Sequence, residues 1–122
     1  MLHHISFPVS DLAEARAFYA SALGALGYRI VVANEKFVGF GLAENEDKFA
    51  LIQVEPTRAA GVGFHLAFAA PSREAVDRFH AAAISHGATD NGAPGLRPDY
   101  GPTYYAAFVI DLDGHRIDAV HK

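Results

Sequence analysis

Apolar and polar residues alternate from Leu2 to Val9. His3, Ile5, Phe7 and Val9 fall on one face, and His4, Ser6 and Pro8 on the other. That two-residue period predicts a strand. Its bulky face suits packing on a helix, whereas the face carrying His4 is small and polar and leaves room for something else. Pro8 cannot donate a ladder bond, which places it at an edge or a strand end. The period then lengthens. Leu12, Ala15, Phe18, Tyr19, Ala22, Leu23 and Leu26 recur at helical spacing. Asp11 is placed as the N-cap with Glu14 at the third helical position, and Gly24 and Gly27 are candidate stops. Three strands are predicted next, Tyr28 to Ala33, Phe37 to Leu42 and Phe49 to Glu55, separated by Asn34-Glu35 and by the charged turn Glu44 to Asp47. On the last of them Phe49, Leu51, Gln53 and Glu55 share a face.

The pattern then returns. His4 and His65, Phe7 and Phe68, and Phe18 and Phe79 are each 61 residues apart, an internal repeat. Val62 to Ala69 reads as a strand with Phe64, Leu66 and Phe68 on one face and His65, Ala67 and Ala69 on the other. Ser72 caps a second helix, whose stripe is Val76, Phe79, Ala83 and Ile84 and whose stop is Gly87. A short strand at Ala88 to Asn91 leads into Asn91 to Pro102, which holds three Gly and three Pro and reads as an Ω-like loop or lid. Thr103 to Ile110 and His115 to His121 are strands joined at Asp113-Gly114, a hairpin signal, with Asp118 in the middle of the last. The only linker, Pro56 to Gly61, is short. The expectation is therefore an α+β fold, one domain built from βαβββ repeats over 1–56 and 62–122, with His4 and His65 opening matched strands.

Composition narrows the function. A chain of 122 residues, 51% hydrophobic and 20% charged, can bury a core without staples. With no cysteine, disulfide and thiolate chemistry are excluded. A net charge of −4 and the lack of a Lys/Arg run argue against nucleic acid. No apolar run approaches a membrane span, and the N-terminus lacks signal-peptide features. A cytoplasmic location is the resulting expectation.

Particular residues then carry a resemblance. His4-Ile5, Val9-Ser10-Asp11-Leu12, Phe18-Tyr19 and Leu23-Gly24 in the first copy, with Gly63-Phe64-His65-Leu66 and Asp111-Leu112-Asp113-Gly114-His115-Arg116-Ile117-Asp118 in the second, resemble the glyoxalase / bleomycin-resistance / extradiol-dioxygenase superfamily, the vicinal oxygen chelate proteins. The resemblance implies that each unit curls into half of an open barrel and that two units enclose a ligand cavity. Those units belong either to one chain or to two, and pairing into a homodimer is implied. It also implies a divalent metal (Zn, Ni, Mn or Fe) held by His4, Gln53, His65 and Asp118, and a small-molecule substrate.

The chain departs from the family pattern at two positions, with Gln53 and Asp118 where Glu is usual. Gln is a weaker ligand for hard divalent ions. Two His and one carboxylate still form a recognised facial set, and Glu55, on the Gln53 face, is a substitute donor or a substrate contact. A bound ion would act as a Lewis acid on adjacent substrate oxygens, with Asp118 as ligand or proton-transfer base. The missing Glu argues against a strict lactoylglutathione lyase and leaves a related lyase, isomerase or dioxygenase. Arg97, Tyr100, Tyr104 and Tyr105, in or after the long loop, are candidates for an anion clamp and hydroxyl donors. The other reading is a metal-free protein that sequesters a drug or metabolite.

Overall fold

A computed structural model describes all 122 residues. The chain runs β1 (Ile5–Val9), α1 (Leu12–Gly24), β2 (Arg29–Ala33), β3 (Phe37–Gly41), β4 (Phe49–Gln53), β5 (Leu66–Ala69), α2 (Arg73–Ser85), β6 (Thr89–Leu96), a 3-10 turn at Pro98–Tyr100, β7 (Tyr105–Ile110) and β8 (Arg116–His121). It is an α+β arrangement of two βαβββ units. Each unit makes a four-stranded sheet in the same order, β1-β4-β3-β2 and β5-β8-β7-β6. In each, the first strand pairs in parallel with the last, and the other pairings are antiparallel. Neither sheet closes on itself.

The caps explain why the helices start where they do. Asp11 accepts from the Glu14 backbone N–H at 3.0 Å and Ser72 from that of Ala75 at 3.1 Å, each satisfying a donor the first helical turn would leave unpaired. The Asn34 side chain accepts from the N–H groups of Lys36 and Phe37. This Asx turn joins β2 to β3 without a glycine.

Two elements differ from the sequence expectation. The second unit's opening strand begins at Leu66, because Gly61 to Phe64 form a turn, with Gly63 at φ 96° and the Phe64 N–H bonded to the Gly61 carbonyl. His65 therefore sits at the mouth of β5. The Gly/Pro-rich stretch is not a free loop up to Leu96 but the edge strand β6, whose pairing with β7 slips twice, between Asp90 and Gly92 and between Gly92 and Gly95. An edge strand tolerates Pro94 because one side of it needs no ladder partner. A Cβ on Gly92 would stand 2.6 Å from the Phe108 ring, so the close approach of β6 to β7 depends on that glycine.

Both helix-facing sides converge on one core of 22 buried residues drawn from both units. Phe49 bridges them, with ring centroids 5.0 Å from Phe7 and 5.2 Å from Phe68. Since both inner faces turn into this core, the two open sheet faces look away from it. A polar corner fixes the arrangement. The buried Asp111 carboxylate receives the Tyr19 hydroxyl of α1 at 2.5 Å and the backbone N–H groups of Asp113 and His115. Ser10 donates to Asp113 at 2.6 Å, and His115 Nε2 donates to the Pro8 carbonyl at 2.7 Å while its ring lies 4.4 Å from that of Phe7.

Burial, with Asp111 beside it, holds the Tyr19 phenol well above its ordinary range, and burial raises the Asp111 carboxyl as well. Tyr19→Phe removes one of the donors that satisfy this carboxylate. The expected loss is about 1–3 kcal/mol, read as a lower urea midpoint with unchanged slope; an unchanged midpoint would contradict the role of this contact.

Candidate functional site

The main site candidate lies on the open face of the second sheet. Alternation along β8 turns Ile117 and Ala119 into the core and Arg116, Asp118 and Val120 to the other face. Asp118 pairs laterally with Ala67 on β5 and Phe108 on β7. His65, at the start of β5, reaches across, and its Nε2 lies 3.5 Å from Asp118 Oδ2. These two, with Asn91, Tyr100, Tyr104, Phe108 and Arg116, line a cavity of about 340 Å³. Every lining residue belongs to the second unit.

Asp118 is only 3% exposed. Burial raises its carboxyl to about 6, with His65 acting in the opposite direction. An imidazole and a carboxylate meeting at this distance in a concave site are two donors of the kind a divalent ion takes. One chain offers no third: no group of three or more His, Cys, Asp or Glu comes together anywhere in it.

Of the other residues expected at the site, Tyr100 and Tyr104 line this cavity and the rest lie elsewhere. His4 is exposed and lines a separate hollow of about 180 Å³ at the seam between β1 and β5, where its Nδ1 meets His3 Nδ1 at 2.9 Å. The two hollows share no lining residue. Gln53 serves the start of α1. Its Oε1 accepts from the Leu12 N–H at 2.7 Å, and its amide donates to the Ser10 carbonyl. Glu55 is exposed, precedes a cis bond to Pro56 and lines none of the cavities. Arg97 folds back on its own strand, stacking 5.0 Å over Phe108 and donating to the Ala93 carbonyl at 2.6 Å. Tyr100 lines the cavity and stacks on Tyr104 at 5.4 Å. Tyr105 points the other way, donating to Asp77 of α2 at 2.6 Å under the Arg73 guanidinium. Its neighbour Tyr104 is the one at the cavity.

Sequence reasoning did not single out Asn91, Phe108 or Arg116. The signal for Arg116 was present, since it stands two residues before Asp118 and so shares its face. Asn91 and Phe108 depend on the slipped β6 pairing, which has no sequence signature of its own.

The family model of the Glyoxalase/Bleomycin resistance protein/Dioxygenase superfamily matches residues 1–119. Among solved structures, the chain is similar to a glyoxalase/bleomycin resistance protein from Albidiferax ferrireducens T118, at 34% identity and TM-score 0.86, over 100% of this chain and 98% of that one. It shares its fold with a glyoxalase-related enzyme from Fulvimarina pelagi (17% identity, TM-score 0.77, covering 100% and 88%). The same holds for the fosfomycin resistance protein FosX from Listeria monocytogenes (19% identity, TM-score 0.70, covering 98% and 91%). No curated protein sequence matches the chain.

The raised carboxyl has a thermodynamic consequence. In the unfolded chain Asp118 ionises near its ordinary value of 3.8, and in the folded chain at about 6. Across that window the folded state binds the extra proton, so its stability falls as pH rises from about 4 to about 6 and stays lower above it. The full span corresponds to about 3 kcal/mol. Asp118→Asn is expected to leave metal-free stability unchanged near pH 4 and to raise it by up to about that amount at pH 8, measured by urea unfolding at both pH values. A loss of stability at pH 8 would contradict the assignment of Asp118 as a destabilising site residue.

Proposed function

The chain belongs to the Glyoxalase/Bleomycin resistance protein/Dioxygenase superfamily, and on that premise we propose that it is a divalent-metal-dependent enzyme. The reading is a lyase, isomerase or dioxygenase acting on a small substrate with adjacent oxygens. The observation that carries it is the His65–Asp118 pair, 3.5 Å apart at the wall of a 340 Å³ cavity. An imidazole and a carboxylate fit Zn, Ni, Mn or Fe, and His4 of a second copy is the third donor. Pairing is supported by the two open sheet faces. Val32 and Ile52 on the first remain substantially exposed, as do Ala67 and Ala69 on the second. A homodimer that sets the first sheet of one copy against the second sheet of the other would cover both and complete two sites.

A bound ion would supply Lewis acidity toward two substrate oxygens. The chain's own residues do the rest. His65 and Asp118 fix where those oxygens sit. Asp118 would hold the ion as a carboxylate, and the burial that raises its carboxyl in the ion's absence favours pairing with that added positive charge. Phe108 provides an apolar wall, and the hydroxyls of Tyr100 and Tyr104 with the Asn91 amide orient a polar substrate. Gln53 has no part in this reading, because its amide holds the start of α1.

One observation favours a second reading, a metal-free protein that sequesters a small molecule. A single chain assembles only two donors, and the position where the family places another carboxylate holds a neutral amide already engaged with backbone.

Metal content separates the two. Metal-stripped protein titrated with Zn, Ni, Mn or Fe(II) is expected to take up about one ion per chain and to melt at higher temperature; a ligand at a hundred times its Kd adds about 2.7 kcal/mol. His65→Ala and His4→Ala each abolish uptake, whereas Gln53→Ala lowers stability but retains it. No uptake of any of the four ions would support the sequestering reading and overturn the enzyme reading.

A further inference from the structure

We infer that Arg116 is the anion-binding group of the cavity, and that the molecule this site takes carries a carboxylate, phosphonate or phosphate close to its metal-binding oxygens. The placement of the substrate's oxygens rests on the metal reading above; the anion site itself does not. Arg116 and Asp118 project from the same face of β8, two residues apart and so about 7 Å along the strand, and both line the same hollow.

Arg116 is half-buried, yet its guanidinium makes no salt bridge and no hydrogen bond. The only two ion pairs in the chain join His65 to Asp118 and His80 to Asp90. Other arginines near this sheet are engaged, Arg97 with Phe108 and the Ala93 carbonyl and Arg73 with the Tyr105 ring. The neighbouring Asp118 carboxylate is turned to His65 and does not neutralise it.

A guanidinium in a concave site without a counter-charge is unfavourable until an anion arrives. Its planar fork matches the two oxygens of a carboxylate, phosphonate or phosphate. The rest of the lining agrees. Asn91, Tyr100 and Tyr104 can donate to further oxygens of the same group, and Phe108 sets an apolar limit beside them. The chain as a whole carries −4, so an anion is attracted by this position and not by the surface at large. With Arg116 and Asp118 about 7 Å apart along β8, the charged group and the metal-binding oxygens must sit within a few bonds of each other.

The test is calorimetric titration of the metal-stripped full chain with inorganic phosphate, methylphosphonate and lactate. Saturable binding of at least one is expected, and its identity separates the phosphorus oxyanions from the carboxylates. Arg116→Gln is expected to weaken that binding at least tenfold and Arg116→Lys less, with thermal unfolding still cooperative. Arg78→Gln, which removes the same charge from the exposed side of α2, leaves it unchanged. Equal affinity in wild type and Arg116→Gln, or no saturable binding of any probe by wild type, would overturn the inference. Zn uptake measured on the same samples reports on the metal reading separately, since anion binding that depends on Arg116 without metal uptake would sink only that reading.

Discussion

The buried carboxylate of Asp111 is the contact on which the architecture turns. It sits in the hairpin between the last two strands of the second unit and takes its hydrogen bonds from that hairpin's backbone and from Tyr19 of the first unit's helix. A carboxylate removed from water is tolerated only when its oxygens are satisfied, and here the donors come from both halves of the chain. Ser10, Asp113, His115 and the Pro8 carbonyl add to the same corner. With the two units fastened there, and with Phe49 packed between Phe7 and Phe68, their helical sides share one core and their open faces turn outward. The outward faces in turn divide the functional residues, leaving His65 and Asp118 on one sheet and His4 beside a different hollow.

The site differs from the rest of the molecule in how its polar groups are treated. No fully buried side-chain nitrogen or oxygen anywhere in the chain lacks a hydrogen-bond partner, so the unpartnered polar atoms of the cavity are ones that solvent or a ligand can reach. In the cavity, a buried carboxylate faces one imidazole at 3.5 Å, and a half-buried guanidinium has no partner. Groups left short of partners in a concave site are where a ligand contributes most, because it supplies the missing interactions. The wall of that cavity is also the least regular part of the fold. β6 slips twice against β7 and is held from behind by His80, which donates to Asp90 at 2.9 Å and helps keep the Asp90 carboxyl below its usual range.

Much of this could be read from the residues. The repeat of 61, the two caps at Asp11 and Ser72, and the period changes mark both units, and the placement of His65 and Asp118 on one face follows from strand alternation. The failures are local and physical. Tyr104 and Tyr105 are neighbours and read alike as candidates, yet Tyr104, just before β7, lines the cavity while Tyr105, the first residue of β7, turns to α2. Gln53 looks like a site residue by its place in the repeat, yet its amide is engaged by the unpaired backbone at the start of α1, a partner 41 residues away in sequence. The Gly/Pro-rich stretch carries every signal of a loop, and only its position at a sheet edge lets it pair as a strand. Arg97 and Arg116 are alike as sequence; stacking on Phe108 engages one and leaves the other open to the cavity.

The central claim is that each chain holds two complementary half-sites facing away from each other, so that a complete metal site takes His4 from one copy and His65 with Asp118 from another. Mixing two defective variants, His4→Ala and His65→Ala, after dissociation and re-association tests it most directly. If the site lies between chains, half of the dimers are mixed and each mixed dimer regains one intact site. Metal uptake then returns to about a quarter of an ion per chain, although neither variant binds alone. No recovery, with mixed dimers demonstrably formed, would contradict the claim.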